Sequence, residues 1–127
     1  MLACFCLTAQ AAVKEYAKFT IDVPDDWTET KFQEHGADFT APDKSCTIGV
    51  AVFPKGEQSL EAMAKTIADH YKGTIEKDAD GDFFVEYKKD GKDGHGALMQ
   101  DGDFVISISI LGEHPKAETI INSVKPK

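Results

Sequence analysis

A single helical segment separates two groups of strand-like segments and most constrains the fold of this chain. Ser59 before the segment is a suitable N-cap and Gly73 after it a suitable C-terminal cap. Within residues 60–71, apolar side chains recur at spacings of three and four, which places them on one helical stripe. They are Leu60, Met63, Ala64, Ile67, Ala68 and Tyr71. We predict a helix over these residues.

The segments on either side alternate apolar and polar residues, the period of a half-buried β-strand. Asp-Gly pairs between apolar runs are a strong signal for β-hairpins, because glycine supplies the positive φ of tight turns. Strands that cluster in runs, rather than alternating with helices, favour an α+β fold. We predict a curved antiparallel β-sheet flanked by a long central helix and a short C-terminal helix that begins at Pro115. The predicted strands are residues 19–23, 27–32, 37–41, 46–53, 74–78, 83–88, 96–100 and 104–111.

The first thirteen residues carry no charged side chain, and an apolar stretch there ends in Ala9-Gln10-Ala11. This is the form of a signal-peptide apolar region followed by a small-residue cleavage site. The positively charged start of a signal peptide is missing, so we interpret residues 1–11 as a truncated signal peptide and residues 12–127 as one domain. The segment is too short to span a membrane. We therefore expect a periplasmic or secreted protein. The alternative interpretation of these first residues is a buried N-terminal strand or helix.

The charge of the chain disfavours two classes of partner. The 127 residues include 14 lysines and arginines against 22 aspartates and glutamates, a net charge of −8 at pH 7. Such a negative field repels phosphate backbones and anionic lipid surfaces. We therefore expect no nucleic-acid partner and no binding to anionic membrane surfaces, and the short apolar segment predicts no membrane span.

Several segments resemble the PsbP-like family, which includes the photosystem II extrinsic protein and bacterial DcrB-type exported proteins. They are residues 19–24 with Trp27 close behind, the Ala41-Pro42-Asp43 turn, the helix over 60–71, and the ending 120–124. The resemblance implies a central antiparallel sheet flanked by helices and an accessory or binding role. Because a fold does not determine a function, it implies no particular site residue.

The residue types that carry catalysis form no recognisable motif. Cys4 and Cys6 would leave with the signal peptide, so that Cys46 would remain alone and no internal disulfide could form. Cys46 shares its predicted strand face with apolar residues, which favours a buried, inert thiol. The histidines lack the local spacing of a zinc site; they are His35, His70, His95 and His114. We predict that the chain is not an enzyme, and the alternative is a small enzyme that uses Cys46 or a histidine.

Acidic residues in two predicted turns suggest a cation site. Asp78, Asp80 and Asp82 resemble the first half of a calcium loop, although Phe83 replaces the glycine at position six and Lys89 the glutamate at position twelve. In an up-and-down meander, alternate turns emerge at the same end of the sheet. The carboxylates that could meet there are Asp78, Asp80, Asp82, Asp101 and Asp103. The hypothesis is a weak calcium site, no other cofactor is predicted, and the alternative is a pair of solvated hairpin turns.

Aromatic residues suggest a binding surface. Trp27 follows a turn from which it could hold the first strands onto the core. The strand faces of Phe32, Phe39, Phe53 and Phe84 are ambiguous, so that one of them could be exposed and mark a partner site. The alternative, which we take as the default, is that they belong to an ordinary core. We interpret the chain as an exported, monomeric, non-enzymatic accessory domain that binds another exported or envelope protein. A binder of divalent cations or small ligands through the acidic loops is the alternative.

Overall fold

A computed structural model describes residues 11–32 and 35–127, which form ten strands and two helices. The predicted signal peptide, apart from Ala11, lies outside these residues, as do Cys4 and Cys6. The strands are β1 (Ala11–Glu15), β2 (Phe19–Pro24), β3 (Thr28–Phe32), β4 (Gly36–Thr40), β5 (Cys46–Pro54), β6 (Thr74–Lys77), β7 (Phe83–Lys89), β8 (Lys92–Asp101), β9 (Phe104–Gly112) and β10 (Lys125–Pro126). The helices are α1 (Leu60–Tyr71) and α2 (Ala117–Asn122).

The strands form two antiparallel sheets instead of the single predicted one. The large sheet has seven strands in the order β3-β4-β5-β9-β8-β7-β6, and the small sheet has three in the order β1-β2-β10. Two meanders, β3-β4-β5 and β6-β7-β8-β9, join where β5 pairs with β9 over nine residue pairs. The α+β prediction is confirmed, and α1 is the crossover that connects the two meanders.

Helix α1 has the predicted bounds, but its C-terminal cap differs from the prediction. The Ser59 hydroxyl accepts a hydrogen bond from the Ala62 N–H at 3.1 Å and so caps the first turn. At the other end, Lys72 and not Gly73 adopts the left-handed conformation, at φ 56°. Gly73 is needed for another reason, since a Cβ there would overlap the Glu86 carbonyl oxygen. At 12 residues, α1 has the average length of a helix in a globular protein, so the prediction of a long helix is not confirmed.

Two hydrophobic cores lie on opposite faces of the large sheet. We call the face toward the small sheet and α2 the first face and the face toward α1 the second face. The first core joins β2 and α2 to β4 and β5, with Phe19, Phe39 and Ile48 fully buried. The second core joins α1 to β7, β8 and β9, around Ala64, Val85 and Val105.

The C-terminal segment closes the open edge of the small sheet. Helix α2 begins at Ala117, so Pro115 lies in the turn before it and is not its first residue. The Ser123 hydroxyl accepts a hydrogen bond from the Asp22 N–H at 2.9 Å, beyond the point where β10 pairs with β2. This contact satisfies a backbone donor of β2 and fixes α2 against the small sheet.

Candidate functional site

The two covering layers leave part of the first face uncovered. Helix α1 contacts β6, β7 and β8, whereas α2 contacts β2 and β5. The layers therefore cover opposite faces at opposite ends of the large sheet. Apolar side chains of β7, β8 and β9 on the first face lie only partly covered. We call them the open apolar face; they are Phe84, Ala97, Met99, Ile108 and Ile110.

The strand register aligns these side chains into one surface. Phe84 lies opposite Ala97, which lies opposite Ile108, which in turn lies opposite Val50 of β5. The exposed fraction falls along this row from 38% at Phe84 to 1% at Val50. The open apolar face is therefore continuous with the first core, and the row runs outward from the core to solvent.

Polar and charged groups border the open apolar face on one side. Nδ1 of His95 lies 3.5 Å from Oε1 of Glu86, and both side chains are exposed. Beside them, Lys88 and Asp93 pair at 3.8 Å. An apolar centre with a polar rim is the usual composition of a protein–protein interface.

The structure distinguishes the aromatic candidates. Phe39 is fully buried in the first core, and Phe53 packs against the second core. Phe84 is exposed, so the default assumption of an ordinary core does not hold for it; the Phe32 side chain lies outside the description. Trp27 is 5% exposed, with its ring 5.0 Å from that of His114. Trp27 therefore belongs to the core, as predicted for a residue that holds the first strands in place.

Met99, Ile108 and Ile110 were not predicted as surface residues. Strand alternation correctly assigns Ile108 and Ile110 to a single face. Their exposure depends on how far α2 and the small sheet extend over that face, which is a property of the packed molecule and not of the strand's own sequence.

Cys46 lies in the first core, as its strand face predicts. Its side chain is fully buried, and burial raises the pKa of the thiol above its ordinary value. Because the thiolate is the nucleophilic form, this environment disfavours a catalytic role for Cys46.

The histidines lie in separate places. His35 and His70 are exposed, and His70 occupies the last turn of α1. His95 pairs with Glu86, while Nδ1 of His114 accepts a hydrogen bond from the Lys116 N–H at 3.1 Å. His114 thus has a structural role in the turn before α2.

The acidic turns lie at the same end of the large sheet, as the meander predicts. Oδ1 of Asp78 accepts hydrogen bonds from the N–H groups of Asp80 at 2.9 Å and Asp82 at 3.0 Å. Loss of hydration and then the charges of Asp78 and Asp80 raise the pKa of the Asp82 carboxyl. Within residues 11–32 and 35–127, no three acidic, histidine or cysteine side chains are grouped to hold a metal ion. The calcium site formed by Asp78, Asp80, Asp82, Asp101 and Asp103 stays a prediction, and it requires the two turns to move together.

The calcium hypothesis predicts that roughly millimolar Ca²⁺ raises the melting temperature, because a ligand bound only by the folded state stabilises it. The double change Asp78→Asn and Asp101→Asn should abolish the rise, whereas Asp25→Asn, in the turn between β2 and β3, should not. Thermal unfolding and calorimetric titration measure both effects. An unchanged melting temperature together with no heat of binding would contradict the hypothesis.

Comparison with known proteins bears on the fold of this chain and identifies no site residue. No protein-family model matches the sequence, and no curated protein matches it. The solution structure of cyanobacterial PsbP (CyanoP) from Synechocystis superposes with a TM-score of 0.60 at 9% identity, and the match covers 94% of each chain. A crystal structure from Bacteroides thetaiotaomicron superposes with a TM-score of 0.57 at 17% identity, over 95% of this chain and 49% of that one.

The segments that suggested the PsbP-like resemblance form regular elements or their ends in this structure. Residues 19–24 form β2, residues 60–71 form α1, and residues 120–124 end α2 just before β10. Neither helix of the described residues is long and apolar enough to cross a membrane. The fold of this chain is PsbP-like.

Proposed function

We propose that this chain is a non-enzymatic accessory domain, exported to the periplasm or secreted, that binds another exported or envelope protein through its open apolar face. It does so as a monomer. The observation that carries the proposal is the continuous row from Phe84 to Ile108, which leaves a large aromatic side chain exposed at the edge of an apolar surface. Exposed apolar patches with polar rims are typical of binding sites.

The wider context agrees with this proposal. The PsbP-like resemblance implies an accessory role, and the environment of Cys46 disfavours a nucleophile. Val13 is the other exposed large apolar side chain among the described residues, at 67%. It lies on β1 of the small sheet and outside the open apolar face, so it provides a matched control for Phe84.

We expect Phe84→Glu to reduce capture of the partner about tenfold or more, because an anchor side chain at an interface contributes at least 2 kcal/mol and a carboxylate cannot enter an apolar contact without loss of hydration. Residues 12–127 would serve as bait for crosslinking in the native cell envelope, with mass spectrometry as readout. Val13→Glu should capture the same partner as the unchanged bait.

Three outcomes would count against the proposal. One is capture that Phe84→Glu leaves unchanged, and another is capture that Val13→Glu lowers equally. The third is a dimer of the unchanged protein that Phe84→Glu converts into a monomer, as measured by light scattering. The open apolar face would then bind a second copy of the chain.

A further inference from the structure

A trough crosses the second face of the large sheet beside the C-terminal end of α1. Its floor is a row of four residues opposite one another on β4, β5, β9 and β8: Asp38, Gly49, Ser109 and Gly96. At Gly49 the missing side chain leaves room for the Asp38 and Ser109 side chains, and at Gly96 it leaves open space. A Cβ at Gly96 would have only the Ile108 carbonyl oxygen, at 4.0 Å, within contact range.

Beneath α1 the trough widens into a cavity of about 200 Å³. Its walls combine apolar side chains with two hydroxyl-bearing residues of β9, Ser107 and Ser109. The apolar wall consists of Ile67, Val85 and Leu98. A cavity of this composition suits a short hydrocarbon group with a polar end.

A carboxylate lies beside Ser109, one of the residues that line this cavity. Both Oδ1 of Asp38 and Oγ of Ser109 point over Gly49, at 2.6 Å and 2.7 Å from the position a Cβ would take there. Burial raises the pKa of the Asp38 carboxyl, and the attraction of the Lys89 ammonium offsets this only in part. Asp38 is therefore a half-buried charge with too little compensation, which an added cation would stabilise.

Two stacked tyrosines complete the site. The rings of Tyr71 and Tyr87 lie 4.4 Å apart and nearly parallel, and both residues line the cavity. The Lys89 ammonium lies 5.8 Å from the centre of the Tyr71 ring. The chain's own ammonium thus already takes the position of a cation over an aromatic face, within the field of Asp38.

From this geometry we propose that the trough binds a small alkylammonium group. The ammonium lies at Asp38 and Ser109, and the hydrocarbon extends beneath α1 between Ile67, Val85 and Leu98. A carboxylate, a hydroxyl and aromatic faces are the groups that recognise such a cation. The trough lies on the face opposite to the open apolar face, so this proposal and the proposed protein binding can fail independently.

We expect n-butylammonium chloride to bind saturably, followed by NMR shifts of the amides around Asp38, Gly96 and Ser109. Butanol, which has the same hydrocarbon without the charge, should bind at least tenfold more weakly. Asp38→Asn should weaken n-butylammonium binding at least tenfold, whereas Asp101→Asn, at the far end of β8, should not. Gly96→Val should block the cavity without removing the charge.

Acidification provides a second readout. The titratable groups coupled to Asp38 are Lys89 and Tyr87 of β7, and Tyr71 of α1 is coupled in turn to Tyr87. The raised pKa of Asp38 means that the ionised carboxylate destabilises the fold as pH rises through that pKa. Asp38→Asn should therefore melt at a higher temperature than the unchanged protein at pH 7. The difference in melting temperature should vanish below pH 3.8, the ordinary pKa of an aspartate carboxyl. Binding of n-butylammonium should weaken as the pH falls from 7 toward that value.

Three results would overturn the proposal. The first is no saturable shift with n-butylammonium at tens of millimolar, and the second is equal binding of butanol. The third is unchanged n-butylammonium binding in Asp38→Asn that remains folded. Loss of binding in both Asp38→Asn and Gly96→Val, each with an intact melting transition, would support it.

Discussion

Phe39→Ala is expected to lower the free energy of unfolding by about 3–5 kcal/mol, because it empties space in a core that cannot collapse around the loss. Phe39 is fully buried between Ile48 of β5 and the aromatic ring of Tyr16, which meets it edge-on at 6.3 Å between ring centres. It thus joins the large sheet to the segment between β1 and β2. A domain of this size has a total stability of about 5–15 kcal/mol, so the loss is a large share of it.

Phe84→Ala is the matched control, since it removes the same atoms from the open apolar face. With 38% of the side chain already exposed, we expect a loss of about 1 kcal/mol or less. Urea unfolding followed by circular dichroism measures both changes. Equal losses would contradict the assignment of Phe39 to the core and of Phe84 to the surface, and with it the proposed binding face.

The elements that depend on neighbouring residues were predictable from the sequence. Helix α1 has the predicted bounds because its stripe and its Ser59 cap are local signals. The alternation of β5 correctly predicted a buried Cys46 on an apolar strand face, and the other members of that face, Ile48, Val50 and Val52, are buried with it. The Asp-Gly turns separate consecutive strands of the second meander, and the glycines at residues 81, 91 and 102 have the positive φ that tight turns need.

Contacts between distant segments could not be predicted in this way. Strand β5 pairs with β9, some sixty residues later in the chain, and no local pattern specifies that partner. Strand β1 was not among the predicted strands, because residues 12 and 13 follow the apolar leader and read as its continuation. Its pairing with β2 is what separates a small sheet from the large one.

The candidate sites depend on the same distant contacts. The exposure of Phe84 follows from the limited reach of α2, which covers β5 but not β7. Asp38 has no sequence motif, and it becomes notable only when Gly49, Ser109 and Gly96 align beside it across three further strands. A search for sequence motifs alone would find neither Phe84 nor Asp38.

Gly112, at the end of β9, lies where the chain turns toward α2. It ends β9 opposite Cys46, at φ +87°. A Cβ there would overlap the Ser45 carbonyl oxygen, the same oxygen that accepts a hydrogen bond from the Glu113 N–H at 3.3 Å. The chain then turns to His114, whose ring packs against Trp27. Close approach and a left-handed conformation therefore both require glycine at this turn.

We accordingly expect Gly112→Ala to lower the free energy of unfolding by about 3 kcal/mol, the sum of a strained conformation and a backbone clash. Gly102→Ala is the matched control, since Gly102 also has a positive φ, of 61°, but no atom lies within 4 Å of its Cβ position. It should lose only the conformational part, about 1 kcal/mol. Urea unfolding of both variants separates the two contributions. Equal losses would show that the clash with the Ser45 carbonyl oxygen costs nothing. The backbone at Gly112 would then be free to move away from Ser45, which would contradict the close packing of this segment and of the His114 ring on Trp27.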